Sequence, residues 1–309
     1  MNYSDFAAEW KSTPDHIICR TSGSTGNPKE ICLPKSEMRK SAWRTIRFFG
    51  LDSGSHLHSC VSPDYIGGKM MAVRAYETGA GLTWEKPSNR PLEKYDGKPI
   101  DLLAVVPSQM IHILDNLNEM PAIRAVIIGG APIPAQLRER IAKSGLNAWE
   151  TYGMTETASH IALRRVTAHP GAFTTLDGIR TYTDSESRLV IEMDGWQRLV
   201  TNDIAEIAEC GFTILGRYDN VIISGGKKIH PEQVEEILER ELGVPVMISS
   251  MPDEKWGERV IMTIEDGGDS QADIKIISKC KNLLPEECVP KEIIHSEVAR
   301  TANGKKRRK

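Results

Sequence analysis

Short, wholly apolar runs alternate with segments of helical period through the first 150 or so residues, and that alternation limits the architectures open to this chain. Asp101–Val106, apolar from Leu102 onward, and Ala125–Ile128 are runs of strand length, the second stopped by Gly129-Gly130. Runs this short and this apolar read as buried strands. His16–Arg20, Leu57–Val61 and Asn147–Tyr152 are also expected to be strands. Met38, Ala42, Ile46 and Phe49 recur at helical spacing, Lys69–Glu77 and Pro134–Lys143 read as helices, and a further helix starts near Pro107. Strand–helix alternation of this kind predicts an α/β fold.

The texture changes after about Thr181. Arg188–Met193, Arg198–Thr201, Phe212–Leu215 and Val221–Ile223 read as short strands separated by turns. Pro231 is well placed in the first turn of a helix over Glu232–Glu241. Strands near Val246, Val260 and Ile293 and a helix near Ile274 complete a small α+β unit. The expected division is therefore a large α/β domain of layered sheets and helices over 1–217 and a small α+β domain over 218–309.

Composition removes several function classes. The chain has 309 residues, 40% of them hydrophobic, enough for a large core. Its 39 basic and 42 acidic residues are mixed, with a formal charge of −3. That balance gives no global reason to expect nucleic acid or an anionic membrane surface as partner. The one basic cluster is Lys305–Lys309. Six scattered cysteines without a C-x-x-C pair read as reduced, mostly buried thiols, and the start, MNYSDF, has no signal pattern, so a cytoplasmic location is expected. His56-x-His58 would share a strand face, but no third ligand accompanies the pair, and no metal is expected there.

Several loops carry chemistry. Thr21-Ser22-Gly23-Ser24-Thr25-Gly26-Asn27-Pro28-Lys29 follows a strand and precedes a helix. Small residues let backbone N–H groups approach a phosphate chain, hydroxyls add donors and the lysine adds charge. The same composition also makes plain surface turns, and the spacing is not that of a Walker loop. Tyr152-Gly153-Met154-Thr155-Glu156 ends a buried strand with an aromatic ring that can stack on a base, followed by a hydroxyl and a carboxylate suited to phosphate and Mg²⁺. Gly130-Ala131-Pro132 also follows a strand. Asp203 at a strand end suits a ribose diol, and Arg217 suits ribose or phosphate, although each alone is also what a surface ion pair looks like. Gly225-Gly226-Lys227-Lys228 forms a glycine turn ahead of the Pro231 helix, and Lys305 follows Gly304.

Taken in order, these motifs resemble the adenylate-forming superfamily of acyl-CoA synthetases, peptide-synthetase adenylation domains and luciferases, over about residues 15–309. The run from Tyr152 to Ile161, with Thr157-Ala158-Ser159 after the glutamate, is most similar to its o-succinylbenzoate–CoA ligase branch, of menaquinone biosynthesis. So is Tyr65-Ile-Gly-Gly-Lys-Met-Met71, which looks like an acyl-pocket loop. Two features depart from the pattern: only twenty residues precede Thr21, and Thr201-Asn202-Asp203 replaces the usual Thr-Gly-Asp.

The resemblance implies an AMP-forming acid–thiol ligase that uses ATP, Mg²⁺ and CoA. Thr21, Ser22, Ser24, Thr25, Gly26 and Lys29 would cradle phosphates. Thr155 would bind phosphate and Glu156 would hold the metal. Tyr152, Gly153, Gly130, Ala131 and Pro132 would hold adenine, with Asp203 and Arg217 on ribose. Lys305 would bridge carboxylate and α-phosphate, and Asp219 would be the hinge of a mobile C-terminal domain whose Gly225, Gly226, Lys227 and Lys228 face the CoA channel. Tyr65, Gly68, Lys69, Arg74, Thr157, Ser159 and His160 are the acyl-pocket candidates; of these, Lys69, Arg74, Ser159 and His160 are offered to the second carboxylate of o-succinylbenzoate, which needs a cation or several donors. His160 reads equally well as a packed histidine on a helix surface. A homodimer would be usual for the family. The rival readings are another aryl or fatty acid, a carrier-protein acceptor, or a degenerate module that only binds nucleotide.

Overall fold

The computed structural model describes residues 2–20, 29–265, 270–300, 306 and 308. These form two compact units, Met1–Ile133 with Leu137–Ile179, and Pro134–Gln136 with Arg180–Lys309. The boundary expected near Arg217–Asn220 lies inside the second unit.

The first unit contains α1 (Tyr3–Lys11), β1 (His16–Arg20), β2 (Glu30–Pro34), α2 (Lys35–Phe49), β3 (His56–Ser59), α3 (Ile66–Thr78), β4 (Gly81–Trp84), β5 (Leu102–Val105), α4 (Pro107–Asp115), β6 (Val126–Ile128), α5 (Ala135–Lys143), β7 (Ala148–Met154), β8 (Ser159–Arg165) and β9 (Phe173–Thr175). Strands β4, β3, β5, β6 and β7 are neighbours in that order and run parallel, and β8 and β9 add antiparallel strands beyond β7. All four residues of β5 are buried, as a parallel strand covered on both faces requires. Leu103 and Val105 pack with Met110 and Ile113 of α4 and with Leu137 and Ile141 of α5. Helix α3 packs on β3, β4 and β5 and carries α1 and α2 against it. The face of α2 read from the sequence is the buried one: Met38, Ala42, Ile46 and Phe49 are all in the core.

The second unit contains β10 (Ile179–Thr183), β11 (Arg188–Met193), β12 (Leu199–Ala208), β13 (Gly211–Arg217), β14 (Ile222–Ser224), β15 (Lys227–Ile229), α6 (Pro231–Leu242), β16 (Val246–Asp253), β17 (Gly257–Ile264), α7 (Ser270–Leu283) and β18 (Glu292–His295). Strands β10 to β13 are sequential neighbours. A second sheet has the order β15-β14-β17-β16, with β18 parallel to β17. Val234 and Leu238 of α6 pack there with Ile248, Val260 and Met262.

The sequence reading passed over α1, β2, β4 and β8, and it set His160 on a helix. His160 is instead a buried residue of β8, directly across from Gly153 of β7. All six cysteines are free, as expected, but only Cys19, Cys60 and Cys280 are buried, while Cys32 and Cys210 are exposed. Among the described residues no helix is long and apolar enough to cross a membrane.

Candidate active site

The carboxyl ends of parallel strands are where an α/β sheet presents loops to a ligand, and two of the motifs lie there. Gly129 and Gly130 follow β6. A Cβ on Gly129 would stand 2.5 Å from Thr151 Oγ1, and Gly130 has φ +88°. The left-handed φ of Gly130 is one that glycine adopts without strain, and it turns the chain after β6 into Ala131 and Pro132. Tyr152 and Gly153 end β7 beside it, and Thr155–Thr157 makes a single tight helical turn. Gly153 is forced by the approach of β8, since a Cβ there would lie 2.3 Å from the Ser159 carbonyl and 2.4 Å from His160 Cα. The Tyr152 ring lies 5.7 Å from that of Phe173. Thr155 is buried and Glu156 is half-buried.

The bend that follows is strained. Ala158 (φ +51°) and Ser159 (φ +101°) are both left-handed without being glycine. Their neighbours hold them there. The Thr157 hydroxyl accepts from Met154 N–H at 3.0 Å and lies 2.7 Å from the Ser159 carbonyl, and Ser41 of α2 donates to the Ala158 carbonyl at 2.8 Å.

Behind this bend three acyl-pocket candidates converge. Arg74, from α3 and 1% exposed, donates to Ser159 Oγ at 3.1 Å and to Met71 Sδ at 3.5 Å. Its Nε is buried without a hydrogen-bond partner. No carboxylate among the described residues pairs with it, and burial pulls its pKa down to about 9, which still leaves it protonated at neutral pH. His160 Nδ1 is 3.4 Å from Ser159 Oγ, and its Nε2 is 2.9 Å from Thr45 Oγ1 of α2. Burial, and then the charge of Arg74, hold this imidazole well below its ordinary value, so it is neutral. Lys69 is placed elsewhere: its ammonium is 3.4 Å from Glu9 and 4.8 Å from the Phe6 ring centroid, both on α1. Gly68 is packed against the Ser62 carbonyl, 2.2 Å from where a Cβ would be, and its own carbonyl accepts from Tyr3 Oη at 3.1 Å. Tyr65 is exposed at the start of α3.

In the second unit the antiparallel register of β12 and β13 sets Asp203 opposite Arg217, which donates to it at 3.0 Å. Asn202, where glycine is usual, donates to Asp219. Gly225 (φ +57°) and Gly226 (φ +76°) form the two-residue loop joining β14 and β15, with Ser224 paired to Lys227, as a type I′ hairpin demands. Lys227 is exposed and 3.0 Å from Glu287, and Lys228 is exposed.

Residues 7–182, more than half of the chain, match the model of a family described as AMP-binding enzymes. The chain belongs to this family.

Within the AMP-binding family, it is 27% identical, over 93% of its length, to a 2-succinylbenzoate–CoA ligase of Bacillus mycoides (strain KBAB4), of which it spans 68%. A 2-succinylbenzoate–CoA ligase of Bacillus cereus (strain ATCC 10987 / NRS 248) gives the same figures. Among solved structures, it is 30% identical to an acyl-CoA synthetase (AMP-forming)/AMP-acid ligase II-like protein from Dyadobacter fermentans DSM 18053, with a TM-score of 0.65, covering 98% of this chain and 90% of that one. An o-succinylbenzoate CoA synthetase from Bacillus subtilis, solved with the acyl-adenylate OSB-AMP, shares the fold at a TM-score of 0.78 and 21% identity, over 94% of this chain and 67% of that one. The mixed α/β architecture is thus that of adenylate-forming enzymes.

The phosphate-loop candidates Thr21, Ser22, Ser24, Thr25 and Gly26, and Lys305, lie outside the described residues; Lys29 is exposed beside β2. Sequence reasoning missed Thr45 and Ser41, which brace the Ala158–His160 bend from α2. A signal was present: both are polar residues, four apart, inside the otherwise apolar stripe of α2.

Proposed function

We propose that the protein is an AMP-forming acid–thiol ligase that adenylates o-succinylbenzoate with MgATP and transfers the acyl group to CoA. The observation that carries this reading is Arg74: a buried guanidinium without a carboxylate partner among the described residues, beside the hydroxyl of Ser159. A buried cation is costly unless paired. A substrate carboxylate remote from the reacting one would supply the pair, with Ser159 as a second donor and neutral His160 fixing that hydroxyl. The names of the Bacillus relatives agree with an acid carrying two carboxylates.

In the first half-reaction an oxygen of the other carboxylate attacks the α-phosphorus, and the bond to pyrophosphate breaks. This step needs alignment and charge neutralisation more than covalent help. Ser22, Ser24, Thr25 and Lys29 are assigned to the phosphates, with Thr21 and Gly26 shaping that loop, and Thr155 to a phosphate oxygen. Tyr152, Gly153 and the Gly130–Pro132 turn are assigned to adenine, Asp203 and Arg217 to the ribose, and Lys305 to the incoming carboxylate and α-phosphate. The Glu156 carboxylate is a hard oxygen donor of the kind Mg²⁺ takes, and the ion would neutralise phosphate charge. In the second half-reaction the CoA sulfur attacks the acyl carbon and AMP leaves. Lys305 is withdrawn by a turn about Asp219, and the Gly225–Lys228 hairpin lines the thiol's approach. Tyr65, Gly68 and Thr157 are assigned to the walls of the acyl pocket rather than to its charge, and Lys69, which is held by Glu9 and Phe6 of α1, has no role in it.

Pyrophosphate release from MgATP and o-succinylbenzoate, with and without CoA, tests this when the product is weighed by mass spectrometry. A CoA thioester is expected. Pyrophosphate without a thioester would move the acceptor to a carrier protein, and no pyrophosphate with this acid would refute the substrate.

A further inference from the structure

Apart from the Arg74–Ser159 pair, His58, Cys60 and Glu85 come together at the ends of two neighbouring strands. His58 lies in β3, and Cys60, two residues on, shares its face. Parallel pairing of Ser59 with Trp84 brings Glu85, just past β4, alongside. One ligand atom from each residue lies within 4.8 Å of the others, and His58 and Cys60 are 2% and 1% exposed.

The surroundings leave one atom without a role. His58 Nδ1 is 2.7 Å from Thr83 Oγ1, and the same hydroxyl is 2.9 Å from His56 Nε2. A hydroxyl has a single proton. If it donates to His56 and accepts from His58 Nδ1–H, His58 Nε2 is left as a bare lone pair. That nitrogen is buried with no hydrogen-bond partner, and its distance to Glu85 Oε2 is 3.9 Å. The main chain at Cys60 and the side chain of Glu85 are held in place. Cys60 N–H donates to the Ala104 carbonyl at 3.0 Å, and its carbonyl accepts from Gln109 at 2.9 Å. The Glu85 carboxylate accepts the Leu92 N–H at 3.0 and 3.2 Å, and Leu92 takes a left-handed φ of +65°. Partners of this kind orient ligands in metal sites.

We propose that His58 Nε2, Cys60 Sγ and Glu85 bind a divalent transition-metal ion of the zinc class. A neutral imidazole, a thiolate and a carboxylate balance the 2+ charge, and binding releases the thiol proton to solvent. The nitrogen–sulfur–oxygen set suits zinc and disfavours magnesium or calcium. Zinc–ligand bonds of about 2.0–2.3 Å give tetrahedron edges of about 3.5 Å, so the ligands close by about 1 Å on the ion and leave a fourth position open.

The full-length protein, stripped with a chelator, is titrated with Co²⁺ alone. One equivalent should produce a thiolate-to-cobalt charge-transfer absorption that Zn²⁺ displaces, and Zn²⁺ should raise the melting temperature. Cys60→Ser should abolish the band, and Glu85→Gln and His58→Gln should each weaken binding at least tenfold. Elemental analysis of the untreated protein gives an independent count if one variant fails to fold. Absence of the band and of bound ion in the wild type, or a band that survives in folded Cys60→Ser, overturns the site. Neither result bears on pyrophosphate release, so the ligase reading stands or falls separately.

Discussion

Arg74 on α3 and Ser159 on β8 are 85 residues apart in the chain, yet the guanidinium donates to the hydroxyl at 3.1 Å, and no carboxylate among the described residues neutralises the pair. An isolated buried cation favours an anionic ligand over stability. Arg74→Met is therefore expected to raise the melting temperature of the ligand-free protein while reducing kcat/KM for o-succinylbenzoate by about 10²–10³-fold, the scale of a lost buried charge pair. Thermal melts and pyrophosphate release measure the two effects, and a variant that is less stable would show that the cation is already satisfied.

His160 ties stability to pH. Its folded-state value is depressed below 6.5 by burial and Arg74. Between that value and 6.5 the unfolded chain binds the extra proton, so stability rises with pH across this window and is lost as pH falls below about 6.5, by up to about 1.4 kcal/mol per pH unit. Urea titrations at pH 7.5 and 5.5 should show a smaller loss for His160→Gln than for wild type.

Two glycines at the carboxyl ends of β6 and β7 should respond differently to an added methyl group. Gly153→Ala drives a Cβ into backbone of β8, which cannot rotate away, whereas Gly129→Ala meets only the Thr151 hydroxyl. Urea unfolding should show Gly153→Ala the more damaging, by about 1–3 kcal/mol or more.

Asp203→Asn keeps the shape of the group that faces Arg217 but removes its charge. KM for ATP is expected to rise by about tenfold or more with little change for the acid, given the role assigned to the carboxylate on the ribose. An unchanged KM for ATP would return the pair to a plain ion bridge.

Lys305→Ala separates the half-reactions. Adenylation should nearly vanish, while preformed acyl-adenylate should still react with CoA. Equal loss of both steps would contradict the hinge at Asp219.

What the sequence determined by itself is local. The apolar runs of β5 and β6, the stripe of α2, the glycines after β6 and in the β14–β15 loop, and the strand end at Tyr152 follow from side-chain period and from φ values that only glycine adopts easily. The tertiary structure decided which distant groups meet. Lys69 and Arg74 are five residues apart on α3, yet one pairs with Glu9 and the other reaches Ser159. His160 is a strand residue because β8 folds back along β7. Glu85 joins His58 and Cys60 only because β4 lies beside β3. Such meetings depend on strand register and on which helix covers which face. Those are set by burying the whole core at once, so no local pattern carries them.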